Sequence, residues 1–202
     1  MLKSIASRST VLFDLYQKRK NLHRQEFVEK MLPKNGVGAE LGVFRGDFSP
    51  LLFSLTQPAK LHLVDPWYLL TSHWHWGPGS RSTVDGLRSA LRKMEPFLPS
   101  GKVEWHVMGS VEFLDSFPPE TFDWIYIDSS HEYEHTCKEL KAAVEKMKPG
   151  GVIAGDDWRP DPAHRHHGVF KAVNEFCAAE GYEIRYKSDA DNQWACVRAN
   201  EK

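Results

Sequence analysis

Residues 122–131 read Phe-Asp-Trp-Ile-Tyr-Ile-Asp-Ser-Ser-His, and residues 151–158 read Gly-Val-Ile-Ala-Gly-Asp-Asp-Trp. Each begins with a short apolar run typical of a buried strand. The first run is followed by Asp128, and the second by Asp156 and Asp157. In a parallel α/β sheet, the carboxyl ends of neighbouring strands form one ligand crevice. Carboxylates gathered there repel one another unless a cation or proton lies between them. The pattern therefore predicts a hard divalent metal at the mouth of a sheet.

Outside these two stretches, the chain also alternates between predicted strands and helices. Strands are predicted at 37–41, 61–64, 103–108, 122–127, 151–154, 182–187 and 193–198, and helices at 9–32, 47–55, 81–95, 111–116, 133–147 and 168–180. Such alternation is typical of an α/β fold in which helices cover both faces of a parallel sheet. Only residues 188–192 separate the last two strands, which predicts an antiparallel hairpin at one edge.

The composition is that of an ordinary globular protein and points away from several classes of partner. The 202 residues carry a net charge of −1, without the excess of Lys and Arg that a nucleic-acid partner favours. No run approaches the roughly 20 apolar residues of a membrane span. The three cysteines form no CxxC pair, which disfavours a thiolate metal site, and free thiols fit a reducing cytoplasm. Asp14 follows the apolar run at 11–13, so no signal peptide is expected.

No linker is visible, which predicts one domain over residues 1–202. Within it, residues 1–35 are expected to form a helical cap, with Leu22 on the apolar face of its helix. Residues 66–80 and 158–167 are expected to form loops beside the crevice. The cap helix could also pair with a second copy of the chain.

The turn after the first predicted strand reads Glu-Leu-Gly-Val-Phe-Arg-Gly over residues 40–46. Gly42 and Gly46 allow a tight turn and close approach of a ligand. The following helix N-terminus suits a carboxylate, while Glu40 could accept a hydrogen bond from an ammonium group. These groups suit an amino-acid zwitterion better than a pyrophosphate. The alternative is an ordinary turn with a solvated Glu40.

Two further positions are candidates for nucleoside contacts. Asp65 follows the second strand, 25 residues after Glu40, close to the offset at which an acid binds a ribose diol. Asp65 could instead belong to a simple Asp-Pro turn. Ser110 follows the third strand and is expected to cap the next helix, with contact to an adenine as the alternative.

Taken in order, these motifs resemble those of class I S-adenosylmethionine-dependent methyltransferases over roughly residues 37–158. Within that class the chain is most similar to metal-dependent O-methyltransferases of small molecules, including enzymes that modify antibiotic sugars and mannosides. The resemblance implies a Rossmann-like, doubly wound sheet of seven strands that is mostly parallel with an antiparallel C-terminal hairpin. It also implies the following ligands: Glu40 and Gly42 for the methionine moiety of the cofactor, Asp65 for its ribose, Ser110 for its adenine side, Gly46 and Asp128 as further cofactor-binding residues, and Asp128, Asp156 and Asp157 for Mg²⁺, with Mn²⁺ as the alternative ion.

The general base is expected to be His131, acting beside Asp128. His131 lies three residues after the first metal ligand, where catechol-type relatives have a lysine. A histidine general base is typically worth about 10²–10⁴-fold in rate. The alternatives are structural: Asp128 could cap the helix from Tyr133, the pair Asp156 and Asp157 could be a solvated turn, and His131 could be an ordinary loop residue.

Aromatic and polar side chains are concentrated in the two predicted loops. Those expected to stack on or hydrogen-bond to an acceptor are Trp67, His73, Trp74, Trp76, Trp158 and Arg159. Such a surface suits a sugar better than a long apolar molecule. A loop closed by its own aromatic packing, or a dimer contact, would give the same pattern.

Together these observations predict a cytoplasmic S-adenosylmethionine-dependent O-methyltransferase that acts on a small polar acceptor, most simply a sugar. A homodimer is expected, and neither nucleic acid nor membrane is expected as a partner. Two alternatives stay open. The acceptor could be a catechol, another phenol or a nitrogen nucleophile, or the chain could bind S-adenosylmethionine without catalysis.

Overall fold

The computed structural model describes residues 10–67 and 81–199. The strands are β1 (Val37–Leu41), β2 (Lys60–Val64), β3 (Val103–His106), β4 (Phe122–Ile127), β5 (Met147–Gly155), β6 (Tyr182–Lys187) and β7 (Trp194–Arg198). The helices are α1 (Thr10–Met31), α2 (Ser49–Thr56), α3 (Arg81–Met94), α4 (Ser110–Asp115), α5 (Tyr133–Lys146) and α6 (His167–Glu180), and a 3₁₀ helix spans Glu95–Ser100. None of the helices in these two ranges is long and apolar enough to cross a bilayer.

The seven strands form one sheet in the order β3-β2-β1-β4-β5-β7-β6. β1 to β5 are parallel to one another, whereas β7 runs antiparallel to both β5 and β6. The predicted doubly wound sheet with a C-terminal hairpin is therefore confirmed. The strand order reverses between β1 and β4. In open α/β sheets, ligands bind in the crevice at such a reversal, beyond the carboxyl ends of the strands.

Helices cover both faces of the sheet, and each face has its own apolar core. Buried side chains of α1, α2 and α3 pack on one face around Leu61, Leu63 and Trp124. Those of α4, α5 and α6 pack on the other face around Ile125 and Ile153. This alternation follows from the strand period, because Trp124 and Ile125 are adjacent and point to opposite faces.

The inward face of α1 differs from the predicted apolar face. Phe27 and Val28 are buried as expected, but Leu22 is 71% exposed. In its place α1 buries Arg24, one turn before Val28, with only 2% of its surface exposed. The cap helix therefore carries a cation into the protein.

Two local predictions were also wrong. Ser110 does not cap α4: it is the first helical residue, and Gly109 takes the cap position without a side-chain hydrogen bond. β5 begins at Met147, before the predicted Gly151, because Met147 already pairs with Phe122. Between the pairs Phe122–Met147 and Trp124–Val152 the register shifts, because β5 has three extra residues there, and Pro149 and Gly150 lie in this bulge.

Candidate active site

The crevice begins where β1 and β4 end side by side. The N–H of Asp128 donates to the Leu41 carbonyl (2.8 Å), so the two strand ends are held together. Gly42 follows Leu41 with φ +94°, and a Cβ there would lie 2.1 Å from the backbone oxygen of Asp128. Only glycine can therefore occupy this position without displacing Asp128.

Asp128, Asp156 and Asp157 meet at this edge. Each offers a carboxylate oxygen, and the three oxygens lie within 4.8 Å of one another. The convergence that the sequence predicted is confirmed. The alternative role of Asp128 as a helix cap is not found, since Glu132 occupies the cap position of α5 without a side-chain hydrogen bond.

Two cations from α1 enter the same cluster, and neither was predicted from the sequence. Lys20 Nζ lies 2.5 Å from Asp156 Oδ2, and Arg24 also donates to this oxygen. Arg24 Nη2 lies 3.4 Å from Asp128 Oδ2. The helical spacing of four residues places both cations on one face of α1. Three carboxylates and two cations together leave a net charge of −1.

The other side of Asp156 is held by the start of β7 and the residue before it. Gln193 Nε2 donates to Asp156 Oδ1 (2.7 Å), and Trp194 Nε1 donates to the Asp156 carbonyl (2.9 Å). The Tyr126 hydroxyl in turn donates to Gln193 Oε1 (2.6 Å). Both carboxylate oxygens of Asp156 therefore have buried partners, which fixes its orientation.

These contacts separate the ionisation of the carboxyl groups. Burial raises the pKa of Asp128, and the nearby Asp156 charge raises it further. Burial acts in the same direction on Asp156, but Arg24 and Lys20 outweigh it and hold the pKa of Asp156 below its usual value. The pKa of Asp157 is also lowered overall, because its hydrogen bond to His166 and the charge of His131 outweigh the effect of burial.

Asp157 orients two histidines. His131 Nδ1 and His166 Nδ1 lie 3.0 and 2.7 Å from Asp157 Oδ2, and the two rings stack with centroids 4.6 Å apart. His131 Nε2 faces Asp128 Oδ1 at 3.9 Å. His131, Asp157 and His166 thus form a second set of potential metal ligands that shares Asp157 with the first.

Positive φ recurs in residues along this edge. Phe44, Trp67, His131 and Asp157 follow β1, β2, β4 and β5, and all four have positive φ. For residues with a side chain this conformation costs of order 1–3 kcal/mol each, and it persists where the surroundings enforce it. Other described residues also have positive φ away from these strand ends, namely Asn35, Gln57, Glu120 and Asn192, so the conformation alone does not identify the site.

Glu40 lies next to the carboxylates but is sealed from solvent, with 2% exposed. Its Oε2 accepts a hydrogen bond from the Ser49 hydroxyl (2.5 Å). The alternative of an ordinary turn with a solvated Glu40 is therefore wrong. Burial raises the pKa of Glu40 from its ordinary 4.5 to about 8, although the Ser49 hydrogen bond acts in the opposite direction. Glu40 is therefore largely protonated at neutral pH.

Glu40→Gln is expected to stabilise the protein increasingly as the pH rises. Because the folded-state pKa lies above the unfolded one, unfolding releases a proton between pH 4.5 and about 8. The free energy of unfolding of the wild type therefore falls across this window by at most about 1.4 kcal/mol per pH unit. The variant does not show this decrease, because the amide of glutamine does not titrate. Urea unfolding of both proteins at several pH values measures the difference. Parallel stability curves would contradict the raised pKa.

Asp65 joins the turn after β1 to the end of β2. Its two carboxylate oxygens accept backbone N–H groups of Phe44 and Trp67, each at 2.8 Å. The Trp67 indole N–H donates back to the Phe44 carbonyl (2.7 Å). Asp65 is thus more than an Asp-Pro turn. Each carboxylate oxygen has a second lone pair that can accept a hydrogen bond from a ribose hydroxyl. The ribose contact therefore stays a prediction.

The Ser110 hydroxyl lies 3.2 Å from His135 Nε2. Ser110 is largely buried at the start of α4, close to the carboxyl end of β3. This is the position from which an adenine contact was predicted, and that contact stays a prediction.

Comparison with known proteins identifies the family. The profile of a family described as a methyltransferase domain matches residues 39–158, more than half of the chain and the part that contains all three carboxylates. The chain belongs to this methyltransferase family. No curated protein matched the sequence of the methyltransferase.

Solved structures agree with this fold. The O-methyltransferase TomG from Streptomyces achromogenes, solved with S-adenosylmethionine, is 18% identical with a TM-score of 0.57 over 91% of this chain and 80% of its own. An O-methyltransferase from Bacillus cereus in complex with S-adenosylhomocysteine is 17% identical, with a TM-score of 0.57 over 91% of this chain and 81% of its own. A candidate rRNA methylase from Clostridium thermocellum is 11% identical, with a TM-score of 0.61 over 88% and 94% of the two chains. At these identities the likeness establishes the fold of the methyltransferase.

Some of the residues predicted to contact the methyl acceptor are buried in the core of the methyltransferase. Trp67 is fully buried and packs against Trp105, and Trp158 is buried against Phe170, so neither presents a face to a sugar. The expectation that they stack on the acceptor is wrong, because their apolar area is used in the core. Arg159 Nε lies 3.6 Å from Asp157 Oδ1, at the site. His73, Trp74 and Trp76 lie outside the described residues.

Lys20, Arg24 and Gln193 were not predicted as site residues. The position of Arg24 in the helix could have indicated its burial. Arg24 precedes Phe27 by three residues and Val28 by four, so it lies on the same buried face of α1 as these two side chains. Gln193 carried no such signal, since its partner Asp156 is 37 residues away.

Proposed function

We propose that the methyltransferase transfers the methyl group of S-adenosylmethionine to a hydroxyl of a small polar acceptor, a sugar, with the help of Mg²⁺ or Mn²⁺. The observation that carries this proposal is the meeting of Asp128, Asp157 and His131 at the strand reversal, beside Glu40 and Gly42. This arrangement places acidic oxygens and a histidine next to the crevice in which open α/β sheets bind ligands.

The proposed donor site is the crevice around Gly42. Glu40 is the acceptor for the ammonium group of the methionine moiety, and binding would convert it to the ionised form. Gly42 and Gly46 bring the backbone close to the donor, with Asp65 for its ribose and Ser110 near its adenine. The complexes of TomG and the Bacillus cereus enzyme, which have the same fold, support this choice of donor.

The carboxylate cluster fits a hard divalent ion, provided that Lys20 moves away from Asp156. Asp128, Asp156 and Asp157 supply the oxygen ligands that Mg²⁺ and Mn²⁺ prefer. Lys20 lies on Asp156, but its side chain is 27% exposed and can swing toward solvent when an ion enters. Arg24 is buried and stays, so the loaded site would be less anionic than three carboxylates alone predict. Such an ion lowers the pKa of a hydroxyl and stabilises the negative charge that develops on its oxygen.

In the proposed reaction the acceptor oxygen forms a bond to the methyl carbon while the bond from that carbon to the sulfonium sulfur breaks. The sulfur keeps the electron pair, which yields S-adenosylhomocysteine. His131 accepts the hydroxyl proton, and Asp157 holds its ring through Nδ1. Alignment of two bound substrates is the other contribution, worth up to several kcal/mol.

Unsatisfied polar atoms support a polar acceptor. His166 Nε2 and Arg24 Nε are buried without a hydrogen-bond partner among residues 10–67 and 81–199. Buried polar groups of this kind normally find a partner. The hydroxyl groups of a sugar would supply one to His166, whereas an apolar acceptor would not.

The decisive experiment is a methyl-transfer assay with labelled S-adenosylmethionine and a panel of sugars, catechols and amines. We expect transfer to a sugar, loss of transfer with EDTA, and recovery with Mg²⁺ or Mn²⁺. Transfer that survives EDTA would remove the metal from the proposal, and exclusive transfer to a phenol or amine would replace the acceptor. Calorimetric binding of S-adenosylmethionine without any methylated product would favour the non-catalytic alternative.

A further inference from the structure

A separate cluster of potential metal ligands lies on β2 and β3, one strand beyond β1 from the carboxylates. His62 on β2 pairs in register with Glu104 on β3. His106 follows Glu104 by two residues, so its side chain is on the same face of the sheet. The methyl-transfer chemistry described above uses none of these three residues.

The three donor atoms already have the spacing of a coordination site. His62 Nδ1 lies 3.0 Å from His106 Nε2 and 3.4 Å from Glu104 Oε2, and the remaining pair is 3.9 Å apart. A tetrahedral zinc ion with bonds of about 2.0–2.2 Å holds its donor atoms about 3.3–3.6 Å apart. Shifts of about 0.5 Å or less would therefore bring all three atoms to one ion.

The surrounding residues hold the three ligands in place. The His62 ring packs edge-on against Phe117 and Phe122. Lys60 binds the other oxygen of Glu104 (2.7 Å), which leaves Oε2 directed at the histidines. Outer contacts of this kind orient ligands in metal sites.

We propose that His62, Glu104 and His106 form a second metal site that takes Zn²⁺ or another borderline divalent ion. Two histidines and one carboxylate leave a fourth position, which water would fill from the side of the half-exposed Glu104. The ion would join the edge strand β3 to β2. Its role is to stabilise this edge of the sheet, and it is independent of the methyl-transfer reaction.

Titration of the metal-stripped protein with Zn²⁺, followed by calorimetry, tests the proposal, with Co²⁺ as a visible probe of tetrahedral coordination. The informative variants are His106→Gln and Glu104→Gln. Glu104 is half-exposed and bonded to Lys60, so its variant should fold even if the histidine variant does not. The matched control is His166→Gln, which removes a ligand from the other histidine-containing set.

We expect a Zn²⁺ site whose affinity falls by about tenfold or more in His106→Gln and Glu104→Gln and is retained in His166→Gln. Zn²⁺ should also raise the melting temperature of the wild type and of His166→Gln, but not of His106→Gln. Unchanged zinc affinity in both His106→Gln and Glu104→Gln would overturn the proposal. Absence of zinc binding by the wild type would do the same and would leave a simple hydrogen bond between the two histidines.

Discussion

Replacing Arg24 by methionine is expected to lower the free energy of unfolding by about 3–5 kcal/mol. The side chain of Arg24 is almost completely buried and binds Asp156, whose carboxylate is equally buried. Methionine keeps much of the volume but removes the charge, which leaves Lys20 as the one cationic partner of Asp156 among the described contacts. Chemical denaturation followed by circular dichroism measures the loss.

Lys20→Gln is the matched control, because it removes a cation from the same carboxylate oxygen. Lys20 is partly solvated, so we expect its loss to cost no more than about 1 kcal/mol. A similar cost for the two variants would contradict the distinction between a buried and a screened partner.

The dependence of the free energy of unfolding on pH in the acidic range gives a second test of the contact between Arg24 and Asp156. The folded-state pKa of Asp156 is depressed, so its contribution is present above the unfolded pKa and is lost as the pH falls through the folded one. Arg24→Met should therefore lose less stability than the wild type on acidification.

Asp157→Asn is expected to reduce the rate of methyl transfer by about 10²–10⁴-fold, the range of a general base, while the protein stays folded. An amide cannot keep the same charged contacts with His131 and His166, and it is a poorer ligand for a divalent ion. Single-turnover assays with saturating S-adenosylmethionine would isolate the transfer step from donor binding.

Asp161→Asn provides the control for Asp157→Asn. Asp161 lies on the same loop but is exposed, and its carboxylate accepts only the backbone N–H of Ala163 (2.9 Å) among the described contacts. Its turnover should equal that of the wild type. If Asp157→Asn kept more than about a tenth of wild-type turnover, the assigned role of Asp157 would be wrong.

The strands and helices were predictable because their signals are local. β1, β4 and β6 begin and end at the predicted residues, since each is an apolar or alternating run between turn residues. The carboxylate cluster was predictable for a related reason. The position of a residue just after a parallel strand specifies which edge of the sheet it occupies.

The remaining features depend on pairs of residues that are distant in sequence. Arg24 and Asp156 are separated by 132 positions, and no pattern in α1 specifies which anion its cation meets. The tryptophans failed for another reason. Trp67 and Trp158 follow strand ends in polar segments, but their large apolar area is more stable in the core than at a solvated surface.

The partners of Asp156 have a consequence for how the protein is made. Arg24 and Gln193 hold opposite oxygens of this carboxylate; Arg24 comes from the first described helix, and Gln193 directly precedes the last described strand, β7. Synthesis from the N-terminus makes Arg24 long before Gln193. Because β7 lies between β5 and β6 in the sheet, the set of contacts around Asp156 is complete only after this last strand has been inserted.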